Sequence, residues 1–332
     1  VSNWEVDIWK KLRNAKKAAV NRYLATVEGK HFVQTSLIAE VASSYYELIA
    51  LDNQLDIVLQ NIALQKKALD IVYVQKEAAR ATELAVKKFE AEVYSSQSKE
   101  FEIRQQIVEE ENKINFLLGR YPQPIPRTKA AFLQITTDSI LVGTPAQLLA
   151  NRPDIKQAEL QLKAAKLDVK VARAEFYPSL GISAVLGLQA FNPAYLAQLP
   201  ESILANLAGD LVAPLINKNA IKAEYLMANA RQKQTLLQYE QTLLNAYLEV
   251  SNQIANINNL QKNYSLKDKQ VEALNRSIAV SADLFKATRV DYFEVLMTQR
   301  DALEAALELV DTKKEQLLAS VAIYKQLGGG WK

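Results

Sequence analysis

The 332-residue sequence contains no cysteine, which excludes a disulfide framework, a thiolate zinc site and a thiol nucleophile. Its single histidine, His31, falls in a polar-rich stretch and reads as a solvated helix position rather than a ligand or a general base. No other titratable residues form a catalytic or metal-binding constellation, so neither an enzyme nor a cofactor is expected. Gly328-Gly-Gly330 lacks the strand–helix context of a phosphate loop and reads as a helix stop. Charge of one sign is missing too. The 40 basic and 37 acidic residues leave a net charge of +3, and no Lys/Arg run is dense enough to grip nucleic acid. No apolar run reaches the roughly 18 residues of a membrane-spanning helix. No signal peptide is visible, and Val1-Ser-Asn-Trp4 reads as the middle of a strand, so a preceding part of the protein is expected.

Glycine and proline are scarce where it matters. All nine prolines fall between Pro122 and Pro214, and two long stretches, Lys30–Leu118 and Leu215–Leu327, contain neither residue. Both residues loosen or break helices, so these stretches predict long helical hairpins. In the second hairpin one helix spans about Asn219–Lys286, on the order of 100 Å at 1.5 Å per residue. Its return helix, about Asp291–Leu327, carries Phe293, Leu296, Arg300, Leu303, Leu307, Val310, Lys314, Leu317, Val321 and Tyr324 at 3,4 spacing. Eight of these ten are apolar, which is the stripe of a coiled-coil seam. Arg300 inside that stripe predicts a carboxylate or carbonyl partner on another helix. Thr288 is expected to cap the return helix, with Asp291 in its first turn. The first hairpin reads as Asn14–Ala79, a turn near Arg80-Ala81-Thr82, and a return to Leu118. Its seam runs through Phe89, Val93, Ile103, Ile107, Ile114 and Leu117, interrupted by Ser96, Glu100 and Glu110. Gly29 costs its helix about 1 kcal/mol, a small loss over that length.

Between the hairpins, Tyr121-Pro-Gln-Pro-Ile-Pro126 opens a connecting segment, and Pro153 starts a shorter helix over Asp154–Glu175. Three short stretches alternate with period 2: Trp4–Trp9, Leu180–Gln189 and about Ile203–Leu215, the last two joined by a turn at Asn192–Pro200. Leu180, Ile182, Ala184, Leu186 and Leu188 share one face of the middle stretch; Gly181, Ser183, Val185, Gly187 and Gln189 share the other. That pattern suits a membrane barrel strand or the edge of a soluble sheet. The order strand end, long helix, turn and return helix occurs twice, about 206 residues apart. Trp4–Trp9 corresponds to Leu211–Ile216, Ala81-Thr82 to Ala287-Thr288, and Leu118-Gly119 to Leu327-Gly328. This divides the chain into a first repeat over 1–120, a connecting segment over 121–151 and a second repeat over 152–332. The second repeat holds a helix, strands within 178–215 and the hairpin 219–327.

Four passages carry a resemblance to a known family. They are Gly143-Thr-Pro-Ala-Gln-Leu-Leu-Ala-Asn-Arg-Pro-Asp-Ile155, Ala172-Arg-Ala-Glu-Phe-Tyr-Pro-Ser179, Tyr292-Phe-Glu-Val-Leu-Met-Thr-Gln-Arg300 and Leu327-Gly-Gly-Gly-Trp331. In these passages, which fall in order at the repeat's positions, the chain resembles the outer-membrane factor (TolC-like) family, especially its efflux lipoprotein branch. The resemblance implies a mainly α fold in which long antiparallel hairpins form a trimeric α-barrel. It also implies a small transmembrane β-barrel built from strands of every protomer. It places a signal peptide, a lipid-anchoring cysteine and one more strand upstream of Val1. The implied function is a passive outer-membrane exit duct of a tripartite efflux system from Gram-negative bacteria. A periplasmic adaptor would dock on it, an inner-membrane pump would feed it, and outer-membrane lipid would surround the barrel.

Carried over by position, Phe293 and Met297 would face the axis as constriction rings at the periplasmic end. Where relatives often have a carboxylate in the second ring this chain has Met297, which argues for apolar closure over cation binding. Packing of both residues against a neighbouring hairpin is the alternative. Arg80, Thr82, Arg289 and Asp291 at the tips are adaptor-contact candidates, or plain solvated turn residues. Outside this family, a non-transport coiled-coil scaffold or an adaptor-like periplasmic protein would also suit long hairpins with a small β domain.

Overall fold

The computed structural model describes residues 1–127, 132–135, 151–189, 200, 203–214, 217–287 and 290–329. In chain order these form β1 (Ser2–Val6), α1 (Lys11–Glu77), α2 (Glu83–Leu117), a short 3-10 turn (Phe132–Gln134), α3 (Pro153–Ala174), β2 (Ser179–Leu188), β3 (Ile203–Val212), α4 (Lys218–Lys286) and α5 (Tyr292–Gln326). The helices end where local chemistry stops them. α1 closes with Ala79 at φ 56°, the Arg80 N–H bonding to Gln75 O at 2.7 Å and the Ala79 N–H to Lys76 O at 2.9 Å. This is a Schellman closure with alanine in the left-handed position glycine usually takes. The return helices close the same way on glycine. Gly119 has φ 66° with Arg120 N bonded to Asn115 O, and Gly328 has φ 78° with Gly329 N bonded to Tyr324 O. The duplicated Leu-Gly pairs are therefore the same helix stop made twice.

The chain packs as two compact units, one of Val1–Phe32 with Leu149–Ala246, the other of Val33–Leu148 with Tyr247–Lys332. These units cut across the two repeats expected from the sequence, 1–120 and 152–332.

In the first unit the strands form an antiparallel sheet of order β1-β2-β3. Its register sets Val6 opposite Leu180 and Leu180 opposite Leu211, and likewise Trp4, Ile182 and Gly209 in one row. Opposed residues share a face, so one face collects Trp4, Val6, Leu180, Ile182, Ala184, Leu186, Leu188, Ile203, Ala205, Leu207 and Leu211, with only Ser2 polar. The other face holds every charge of the sheet, Glu5 and Asp210, which flank Gly181. A Cβ on Gly181 would lie 2.6 Å from Asp210 Oδ1, so the bare glycine leaves room for that carboxylate to fold over β2. On the apolar face Trp4, Leu186, Leu207 and Leu211 are exposed, Leu186 at 76% and Leu207 at 77%, while Val6, Leu180 and Ile182 are half-buried, so most of that face is uncovered among the described residues.

Below the sheet, Trp9 donates its indole N–H to Pro178 O at 2.8 Å and stacks on Tyr177 at 4.5 Å. An aromatic group at the end of such strands is what a membrane interface selects. Asp7 accepts the Leu12 and Arg13 backbone N–H groups at 3.0 Å and so closes the start of α1. Desolvation pushes the Asp7 carboxyl up, but the bonds from Arg13 and Leu12 outweigh it and hold the carboxyl below its usual range.

In the second unit Leu48, Leu55, Val58 and Ile62 of α1 pack on Ile103, Ile107 and Ile114 of α2, with Leu303 and Leu307 of α5 alongside. On a neighbouring face Ile49 and Ala50 meet Phe132, Val310 and Leu317. The α2 seam matches its expected lattice at Phe89, Val93, Ile103, Ile107 and Ile114. Ser96, expected to interrupt it, is itself buried and takes a bond from Asn61 at 3.5 Å.

Candidate gate at the hairpin tips

Both hairpin tips lie in the second unit and share one apolar cluster. Val72 of α1 and Ala85, Val86 and Phe89 of α2 are buried together, and Phe285, Tyr292 and Leu296 of the other hairpin pack on them. Each tip thus fixes the position of the other through packed side chains. A polar set joins α1 to α2 beside the cluster. The Tyr73 hydroxyl bonds to Glu90, Lys87 donates to Glu90 at 2.8 Å, and Lys76 pairs with Glu83. The bond from Lys87, then that from Tyr73, holds the Glu90 carboxyl below its usual range.

Thr82 is the N-cap of α2; its hydroxyl accepts the Ala85 N–H at 3.2 Å. Thr82→Ala should therefore lower stability by about 1 kcal/mol, while Thr82→Ser restores it. A melting scan of the three proteins in detergent checks this, and equal midpoints would remove the cap from the account.

α5 begins differently from expectation. Asp291 is not in its first turn but is itself the N-cap, accepting the Tyr292 N–H at 2.7 Å, so it supplies the capping oxygen assigned to Thr288. Thr288 and Arg289 lie outside the described residues, as do Leu215 and Ile216, 192–199 of the expected turn, 143–150 of the first quoted passage, and Gly330-Trp331. Arg80 is exposed at the end of the α1 closure.

Phe293 and Met297 sit one turn apart on α5, each directly after a cluster residue, Tyr292 or Leu296. Phe293 is 48% exposed and outside the cluster, and Met297 is half-buried. Lys88 of α2 lies over the Phe293 ring, its Nζ 5.2 Å from the centroid. At an exposed site such a contact contributes about 0.5–1 kcal/mol, enough to bias the ring's position. Sequence reading missed Lys88, because its relation to Phe293 crosses from one repeat to the other and has no periodic signature. The expected partner across from Arg300 is not there among the described residues. Arg300 is half exposed, with only its neighbour Asp301 at 3.9 Å, so no buried charge needs compensation. His31 lies 3.3 Å from Glu28 on its own helix, and among the described residues no three potential ligands converge on a metal position.

Residues 1–120 and 144–329 match the family described as outer membrane efflux protein. The chain belongs to that family. It is 31% identical over its whole length to the pyoverdine export outer membrane protein OpmQ of Pseudomonas aeruginosa, spanning 69% of that protein. It is 26% identical to the cation efflux system protein CusC of Escherichia coli, again over the whole chain and 72% of the relative. Among solved structures, the outer-membrane channel OprN superposes with a TM-score of 0.94 at 25% identity, over 99% of this chain and 74% of that one. A CusC structure gives 0.91 at 25% identity, over 99% and 76%. The protein is thus an outer-membrane component of an efflux system with the channel fold of these neighbours, in a family of transport proteins.

Proposed function

We propose that this chain is one protomer of a homotrimeric, passive exit duct. An adaptor opens its periplasmic end, and an inner-membrane pump supplies the energy. The observation that carries this reading is the largely uncovered apolar face of the β1-β2-β3 sheet opposite a face holding Glu5 and Asp210. A soluble scaffold or adaptor would bury such a face in its own core; a wall between lipid and a wet lumen exposes it. Open strand edges in hydrocarbon would leave backbone groups unpaired, so the sheet must close with strands of other copies. Phe293 and Met297 form the constriction, and Arg80, Thr82, Arg289 and Asp291 are the adaptor's contacts.

The mass of the detergent-solubilised full-length particle tests the assembly. Three protomers per particle are expected. A monomer that stays soluble without detergent would replace the duct with the coiled-coil scaffold.

A further inference from the structure

We infer that Lys88 and Arg300 make the constriction cationic, so that the duct favours anionic over cationic cargo. This rests on the reading of Phe293 and Met297 as the constriction. At 100° per residue, Phe293, Met297 and Arg300 fall within about 60° of one another on α5, so Arg300 stands on the same face one turn beyond Met297. Lys88 reaches that face from α2, since its ammonium group sits over the Phe293 ring. The two apolar residues therefore have a cation on either side.

Neither cation is neutralised as its neighbours are. Lys87 pairs with Glu90 at 2.8 Å and Glu83 at 3.9 Å, and Lys76 pairs with Glu83. Lys88 makes no ion pair among the described residues. Arg300 has only Asp301 at 3.9 Å, with both side chains about half exposed, a separation at which pairing is weak. Glu92 follows Lys88 by one turn and Glu304 follows Arg300 by one turn, yet neither pairs with its cation. Phe293 and Met297 carry no charge of their own. A threefold assembly would repeat the pair around the axis, giving six positive groups at the narrowest level. Low-dielectric walls focus their field there, whereas charge more than about 8 Å away is screened at physiological salt.

The test is the reversal potential of the full-length channel in a planar bilayer under a tenfold KCl gradient. The wild type should prefer chloride. Lys88→Gln with Arg300→Gln should lower the chloride-to-potassium permeability ratio by roughly threefold to tenfold, as expected for removing a potential of order kT. Lys87→Gln with Glu90→Gln, which removes a paired cation together with its carboxylate, should leave the ratio unchanged. A wild type that prefers potassium, or a double variant whose reversal potential does not move, overturns the inference. The constriction reading has its own readout, the size of the current in Phe293→Ala with Met297→Ala, so its failure is visible separately. Both charge sites are exposed, and Lys88→Glu offers a second variant that should push the ratio further the same way.

Discussion

Arg127→Ala is expected to destabilise the second unit by about 3–5 kcal/mol, the range for leaving a buried charge without its partner. Arg127 follows the proline-rich exit of α2 and folds back on both helices of the first hairpin. Its Nε bonds to Asp52 Oδ2, one Nη bonds to Asp52 Oδ1 at 3.1 Å, and the other reaches Glu111 and Ile125 O. Asp52 is 3% exposed, so truncating Arg127 leaves its carboxylate with little water and no counter-charge. The bond to Asp52 first, against an opposing desolvation, and then the bond to Glu111 raise the guanidinium pKa above its ordinary value. The group is therefore charged at every accessible pH. Arg127→Met together with Asp52→Leu should recover most of the loss, because it removes the charge as well as the pair. The thermal midpoint of the detergent-solubilised protein at a fixed scan rate reads all three. A shift in Arg127→Ala no larger than that of the exposed Lys87→Ala would show that the pair contributes little.

That pair illustrates what the sequence could and could not convey. Helix extents were legible because chain chemistry sets them. Glycine and proline are excluded from the hairpins, and Leu118-Gly119 and Leu327-Gly328 supply two matching stops. The strand faces were legible because period 2 fixes which residues lie together once a register exists. Arg127, in contrast, sits in a proline-rich segment with no period, and its partners lie 75 and 16 residues away.

The α5 seam was half legible. Its expected stripe meets α1 through Leu303, Leu307, Val310 and Leu317. The helix also buries Val295, Gln299, Ala302, Ala305, Thr312 and Ala319. Across this side Gln253 of α4 bonds to Ala319 O at 3.0 Å, and Gln316 bonds back to Leu260 O at 3.2 Å. A helix held between two others needs two seams. The second is made of small and polar residues that a count of large apolar ones passes over. The same arrangement decides between adjacent lysines. Lys313 is buried, donates to Ile135 O at 2.6 Å and has its pKa lowered by desolvation. Lys314, which the stripe selected, is half-buried and pairs with Asp311 at 3.1 Å. One residue is 100° of rotation, and only the neighbouring helices choose between them.

Phe293→Ala with Met297→Ala is expected to raise the resting conductance of the reconstituted channel at least tenfold. An ion entering the ring of Phe293 and Met297 gives up hydration without gaining partners from those two side chains, so a narrow ring of them resists its passage by dewetting. Widening it enough to lower the barrier by about 1.4 kcal/mol already gives tenfold. The expected change is in current and not in folding. Phe293 is half exposed and outside the tip cluster, whereas Tyr292 and Leu296, one residue earlier in each case, pack on Phe89 and its neighbours. Leu296→Ala should accordingly lower the melting midpoint, a partly buried leucine losing up to about 2–5 kcal/mol on truncation. The gate double variant should melt near the wild type. Phe293→Leu keeps an apolar ring but loses the contact with Lys88, and should stay nearly closed. A double variant that assembles normally and conducts no more than the wild type would show that Phe293 and Met297 pack against a neighbouring hairpin. The constriction would then have to be sought elsewhere along the helices.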